Sequence, residues 1–277
     1  MLTHTFRHIP GIGLQTEKRL WALGLTSWDD FHEPYPVSIT AEKIATIKVY
    51  LGESKRHLPD NPLFFYELLN GNQHWRLFPH YRQATVYLDI ETTGLSEVHD
   101  HITTIATYDG TRIRHYVYGE NIEDFIDDIA PYSVLVTYSG KTFDVPMLER
   151  FFRRRINKAH VDLRYVLRNL GYSGGLKSCE KQMGLDRGDL EGVDGYFAVL
   201  LWQEYQKGGN VKALETLLAY NIEDVVNLES LMVQAYNLSL HHTPFFQTLH
   251  LPLPSKPRSP FTADLKVIDT IKRKYLR

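Results

Sequence analysis

A chain of 277 residues, 43% hydrophobic and 23% charged, carries enough apolar side chain for one full core and a small appendage. Its formal net charge of −2 excludes indiscriminate attachment to nucleic acid through bulk charge, and its one cysteine, Cys179, excludes an internal disulfide and fits a reducing, cytoplasmic setting. No run approaches the ~18 apolar residues of a membrane span, no targeting sequence is recognisable, and no Walker-type glycine loop marks an NTPase.

Residues 1–80 show helical patterns punctuated by Pro34, Pro36, Pro59 and Pro62, which predicts a small helical N-terminal unit. Within it, Ile9-Pro10-Gly11-Ile12-Gly13 precedes a helix containing Lys18, Arg19, Leu20 and Leu23. The pattern resembles a helix-hairpin-helix element, in which glycines let backbone N–H groups approach a phosphate and the next helix adds its dipole. Gly11, Gly13 and Lys18 are therefore candidates for gripping a nucleic-acid backbone. A tight turn between helices that merely needs glycine accounts for the same residues.

Residues 84–90 are apolar and rich in strand formers, as in a buried central strand. Side chains alternate faces along a strand, so Asp89 and Glu91 point the same way before the run breaks at Thr92-Thr93-Gly94. Two acids on one face repel unless something positive lies between them, and a hard divalent cation prefers such oxygens. The alternative is a solvated strand end whose acids cap a loop. Strands near 102–108 and 112–118 and a helix near 121–130 follow.

A strand near 133–138 ends in the turn Ser139-Gly140-Lys141-Thr142, and a helix is predicted over 145–155 with Met147, Leu148, Phe151 and Phe152 on one face. Asp144 stands at the junction, where Asp is a preferred helix N-cap; capping with one oxygen would leave the other for a metal-associated water. Arg150, Arg153, Arg154, Arg155 and Lys158 could line a strand path or form a solvated helix face. Asp162, near the end of a strand at 160–164, could cap the next helix or reach the site. Asp127, Asp128 and the acids between Asp186 and Glu191 read as surface groups, and His241-His242 lacks a zinc-spaced partner.

Residues 211–238 contain no proline and carry a broad apolar stripe including Leu214, Leu217, Val225 and Leu228, which predicts one long helix. Tyr220 and Asp224, four apart, share a face, while Glu223 is rotated about 100° away, so Asp224 is the better ligand candidate. An ordinary packing contact would use the same spacing. The first three strands read as a meander and the last two as crossovers, giving an α/β fold with a mixed five-stranded sheet flanked by helices.

In this order, the stretches 87–95, 136–144 and 220–224 resemble the exonuclease motifs of the DnaQ-like, ribonuclease H-like superfamily, in the variant with four acids and a tyrosine. Residues 77–238 resemble its YprB-like group through the stretches 74–79, 100–103, 176–180 and 220–228. The resemblance implies a ribonuclease H-like fold and a 3′-5′ exonuclease site holding two Mg²⁺ or Mn²⁺ ions, which in such sites stand roughly 3.5–4 Å apart. By that resemblance Asp89 would bridge both ions, Glu91 and Asp224 would complete the tighter one, and Asp144 would hold the second through water. Tyr220 would orient the attacking water. Thr92, Thr93, Leu95, Ser139, Lys141 and Phe143 would contact substrate, Leu95 and Phe143 as faces for terminal bases; Phe143 fits a core aromatic equally well. The family usually has asparagine where this chain has Ser139, so handling of the 3′ end is where it departs.

The expectation is a metal-dependent 3′-5′ exonuclease domain over residues 81–240, between the helical region 1–80 and a tail over 241–277. Its expected partner is nucleic acid and not a membrane: single-stranded DNA or a 3′ overhang, DNA being preferred because of the hairpin element. Alternatives are an exoribonuclease, an endonuclease of hybrids, disfavoured by the tyrosine motif, and a non-catalytic nucleic-acid-binding module. Four clustered acids would have no use in the last.

Overall fold

The computed structural model describes residues 1–94, 96 and 100–275. Four helices precede the sheet: α1 (Leu14–Ala22), α2 (Ala41–His57), α3 (Pro62–Leu68) and α4 (Phe78–Tyr81). Then come β1 (Thr85–Thr92), β2 (Ile102–Tyr108), β3 (Ile113–Val117), α5 (Phe125–Ile129), β4 (Val134–Thr137), α6 (Asp144–Phe152), β5 (Ala159–Asp162), α7 (Leu163–Asn169) and α8 (Leu176–Gln182). The chain continues through α9 (Gly195–Gly208), α10 (Val211–Leu240), α11 (Phe246–Leu249) and α12 (Leu265–Tyr275). Among the described residues no helix is long and apolar enough to cross a membrane.

The strands form one mixed sheet in the order β3-β2-β1-β4-β5, with β1 to β3 antiparallel and β4 and β5 parallel to β1. Alternation along β1 divides the core. Val86, Leu88 and Ile90 pack with Met147 and Leu148 of α6 and Phe125 of α5 on one face. Tyr87 lies in the cluster on the other face, with Val225, Leu228 and Met232 of α10. Asp89 and Glu91 share the parity of Tyr87, so they face α10, and their register opposite Ala106 and Thr104 keeps them one pleat apart. Placing two acids at a central strand's end is therefore a consequence of the same alternation that builds the core.

The helix α10 is 30 residues long and starts where the Asn210 carboxamide accepts the backbone N–H groups of Lys212 and Ala213. The helix α6 ends earlier than residue 155: Arg153 turns into the left-handed region at φ 50°, which closes the helix after Phe152. The basic cluster is thereby placed largely in a loop. Arg155 pairs with Glu149, Lys158 donates to backbone carbonyls of Ala130 and Tyr132, and Arg150 donates to the Asp100 carbonyl.

The N-terminal segment shares the largest core cluster with the sheet, through Phe6, Trp21, Trp28 and Phe65 together with Trp75 and Phe78. A buried ion pair fixes its orientation. Arg76 Nη2 lies 2.9 Å from Glu17 Oε2, and Glu17 Oε1 also accepts from Thr5 Oγ1 at 2.6 Å and the Phe6 amide at 2.9 Å. The guanidinium sits over the Trp75 ring at 4.9 Å, and neither charge is accessible to water. Removing one partner leaves the other buried and uncompensated. Glu17→Ala or Arg76→Ala should each cost about 3–5 kcal/mol in urea unfolding; a loss under ~1 kcal/mol would mean that the pair does not hold the segment.

Candidate active site

A cavity of about 410 Å³ opens beyond the end of β1, lined by Asp89, Glu91, Ser139, Phe143, Asp144, Tyr220 and Asp224 among others. One carboxylate oxygen from each of Asp89, Glu91 and Asp224 lies within 4.8 Å of the other two. Asp144 lines the same cavity but is not part of that three-acid cluster. It is the first residue of α6, and no side-chain bond caps the helix there, so the N-cap role open to it from sequence is not the one it takes. Glu223, turned away from the cavity, pairs with Lys256.

Burial pushes Asp89 and Glu91 well above the ordinary carboxylate range, and in both the Asp224 charge is the next cause. Asn221 Nδ2 donates to Asp89 at 2.8 Å and opposes the rise, as Lys177 does for Glu91. Burial likewise raises Asp144 to about 7. Carboxylates held together out of water in this way want added positive charge. The donor set, all oxygen and all acidic, fits a hard divalent cation such as Mg²⁺ or Mn²⁺; Asp89, Glu91 and Asp224 are the residues that could hold it.

Four side chains complete the cavity's polar frame, three of them not singled out in the sequence (Arg187, Lys177 and Asn221) and one, Asp162, expected there to cap a helix or reach the site. Arg187, 6% exposed, donates through Nη1 to Glu180 Oε2 at 2.6 Å and through Nη2 to Asp224 Oδ1. It lies in the stretch between Asp186 and Glu191 read as surface acids; a single arginine among acids was the available signal. Lys177 Nζ donates to the Tyr220 hydroxyl at 2.6 Å. Asn221 bridges the Thr104 hydroxyl of β2, at 3.1 Å, to Asp89, and its place three residues before Asp224 on one helix face marked it.

The fourth is Asp162. Its carboxylate caps α7 by accepting the Arg164 amide at 3.1 Å, and it also accepts the amides of Ser139 at 2.9 Å and Lys141 at 3.0 Å. It thus holds the loop that carries Ser139 into the cavity. That loop is tight: a Cβ on Gly140 would stand 2.3 Å from Thr137 Oγ1, and Ser139 takes φ 64°, left-handed backbone that serine adopts at a cost.

The residues expected to touch substrate separate into groups. Ser139 and Phe143 line the cavity. The Thr92 hydroxyl donates to the Gly94 carbonyl and that of Thr93 to Asp100, so both brace the turn after β1 and neither lines the cavity. Lys141 points away, over the Tyr66 ring at 4.8 Å, and Leu95 lies outside the described residues. Gly11, at φ 76° where glycine is favoured, Gly13 and Lys18 are exposed near the start of α1, away from the acids. Asparagine tolerates left-handed backbone better than most residues. Ser139→Asn should therefore keep or raise stability, and Ser139→Val should fall about 1–2 kcal/mol below it in thermal unfolding; equal stabilities would show that the loop relaxes.

No curated protein matches the chain. Among solved structures, the chain is similar to the family B DNA polymerase from the hyperthermophilic archaeon Pyrobaculum calidifontis, with 15% identity and a TM-score of 0.43. That similarity covers 61% of this chain and 27% of the polymerase, so the chain spans about a quarter of that protein's length. The family model described as the RNase H superfamily matches residues 86–236, more than half of the chain and all of the sheet but its first residue, with most of α10. The chain belongs to the RNase H superfamily.

Proposed function

We propose that the chain is a metal-dependent 3′-5′ exonuclease that hydrolyses single-stranded DNA or 3′ overhangs, with residues 81–240 as its catalytic unit, 1–80 as a grip and 241–277 as a tail. The observation that carries this is the convergence of Asp89, Glu91 and Asp224 from β1 and α10, with Asp144 and Tyr220 lining the same cavity. A binding module would gain nothing from burying like charges together. The preference for DNA rests on the hairpin at Gly11 and Gly13.

Two divalent ions, when bound, would activate water for attack and neutralise charge on the phosphate and the leaving oxygen. Asp89, Glu91 and Asp224 would hold them, with Asp144 as the outlying acid. Tyr220 has a different task. Burial, and then the charges of Asp224, Glu91 and Asp89, raise its phenol, so it stays protonated at any working pH. Its oxygen accepts from Lys177, which leaves its own proton free to donate. Tyr220 is thus a fixed donor that can orient a reacting group, and not a base. Ser139 brings a hydroxyl to the cavity wall for the terminal sugar, and Phe143, half-buried beside it, offers an edge against which a terminal base can stack.

Oligonucleotides labelled at the 5′ end test this directly: single-stranded DNA, duplex, 3′ overhang and RNA, each with Mg²⁺, Mn²⁺ or EDTA. The expected result is a metal-dependent ladder shortening from the 3′ end, fastest on single-stranded DNA and absent in Asp89→Ala/Glu91→Ala. Binding without cleavage would refute the enzyme, and a faster RNA ladder would reverse the sugar preference. Tyr220→Phe should lower kcat about 10- to 100-fold while metal affinity persists; unchanged kcat would remove the phenol from the reaction.

A further inference from the structure

Three cavities of about 670, 350 and 380 Å³ adjoin one another outside the acidic site. The first is lined by Lys141, Tyr165 and Arg168, and it shares Asn72 and Asn169 with the second. The second contains Lys18 and shares Arg7 with the third, which ends at Gly11 and Gly13. Neighbouring cavities in this series share wall residues, so the three lie in a row from the loop after β4 to the hairpin before α1, a row called the groove below.

The groove starts on the loop that serves the acidic site. Ser139 faces the acids, Lys141 faces the groove, and Asp162 accepts both amides. Its charge is segregated as well. The chain has 33 acidic and 31 basic residues, yet among the described residues no aspartate or glutamate lines any of the three cavities. Arg7, Lys18 and Arg168 form no ion pair among the described residues. Tyr165 is 38% exposed and offers a ring face beside Arg168, and the Asn72 carboxamide donates to that of Asn169 at 3.0 Å, so both amides are held in place.

Spaced cations without carboxylate partners, fixed amides and an exposed ring suit a flexible polyanion with flat bases. We infer that this groove binds the part of a single nucleic-acid strand lying 5′ of the bond in the acidic site, carrying it past Lys141 and Arg168 to Lys18 and Arg7. The inference rests on the nuclease reading for its direction, since a 3′ end in the site leaves only the 5′ side to be held elsewhere. The Glu17–Arg76 pair sets the groove's shape, because it anchors α1, and with it Lys18, beside Trp75.

The test is fluorescence anisotropy of 5′-fluorescein oligodeoxythymidylate of 4 and 15 nucleotides with the full chain in EDTA, so that binding is read without cleavage. The wild type should bind the longer strand at least tenfold more tightly. Lys18→Glu/Arg168→Glu should lose that gain while leaving the tetranucleotide unchanged, and Lys18→Arg/Arg168→Lys should restore it. The slope of log affinity on log salt for the 15-mer should flatten by about 1.4, from two phosphate contacts at ~0.7 each. A 15-mer affinity equal in wild type and charge-reversed variant overturns the groove, as does a wild type that gains nothing with length. The same oligonucleotides with Mn²⁺ report on the other question: absence of a 3′ ladder would sink the nuclease while the groove still stands or falls on the anisotropy.

Discussion

Three carboxylates whose oxygens approach within 4.8 Å, on a sheet face closed by a 30-residue helix, repel one another with little water to screen them. The surrounding fold holds them against that repulsion. Asp89 and Glu91 cannot separate because they sit two residues apart on a central strand paired on both sides. Asp224 cannot withdraw because the flanking residues Val225 and Leu228 are fully buried in the core. The stability of the core is what maintains an arrangement that the charges alone would disperse.

The counter-charges come from elsewhere in the chain. Acids are supplied by β1 and α10, the most regular elements, while Lys177 and Arg187 come from α8 and the loop that follows it. Each cation touches one side of the cluster: Arg187 bridges Asp224 to Glu180, and Lys177 meets the Tyr220 hydroxyl. Asp162 performs the matching task on the opposite wall, tying the loop of Ser139 and Lys141 to the start of α7. That one carboxylate thereby aligns the wall of the acidic site with the mouth of the basic groove.

The sheet was legible in the sequence because its strands are short apolar runs separated by glycine- and threonine-rich turns, and the meander-then-crossover order follows from that spacing. The placement of Asp89, Glu91, Tyr220 and Asp224 around one cavity was legible for a similar reason: two-residue and four-residue spacings each fix a face. Arg187 and Lys177 were not, since their partners lie 37 and 43 residues away and no local periodicity records a contact at that range; the cap that Asp162 gives α7 was legible, but its hold on the Ser139 loop, 23 residues away, was not. The expected reach of α6 to residue 155 failed because nothing in its hydrophobic pattern announces a left-handed arginine at 153. Thr92 and Thr93 looked like substrate contacts because they follow the acids, but hydroxyls at a strand's end can also close the turn, and here they do.

The most direct test of the acidic cluster as a cation site is thermal unfolding of the wild type and Glu91→Gln, in EDTA and in Mn²⁺. If the carboxylates repel, neutralising one should leave the variant at least as stable as the wild type in EDTA. Mn²⁺ at 100 times its dissociation constant should then stabilise the wild type by about 2.7 kcal/mol, and the variant should lose most of that gain. A variant that is less stable in EDTA and responds to Mn²⁺ like the wild type would contradict a cation site at these residues.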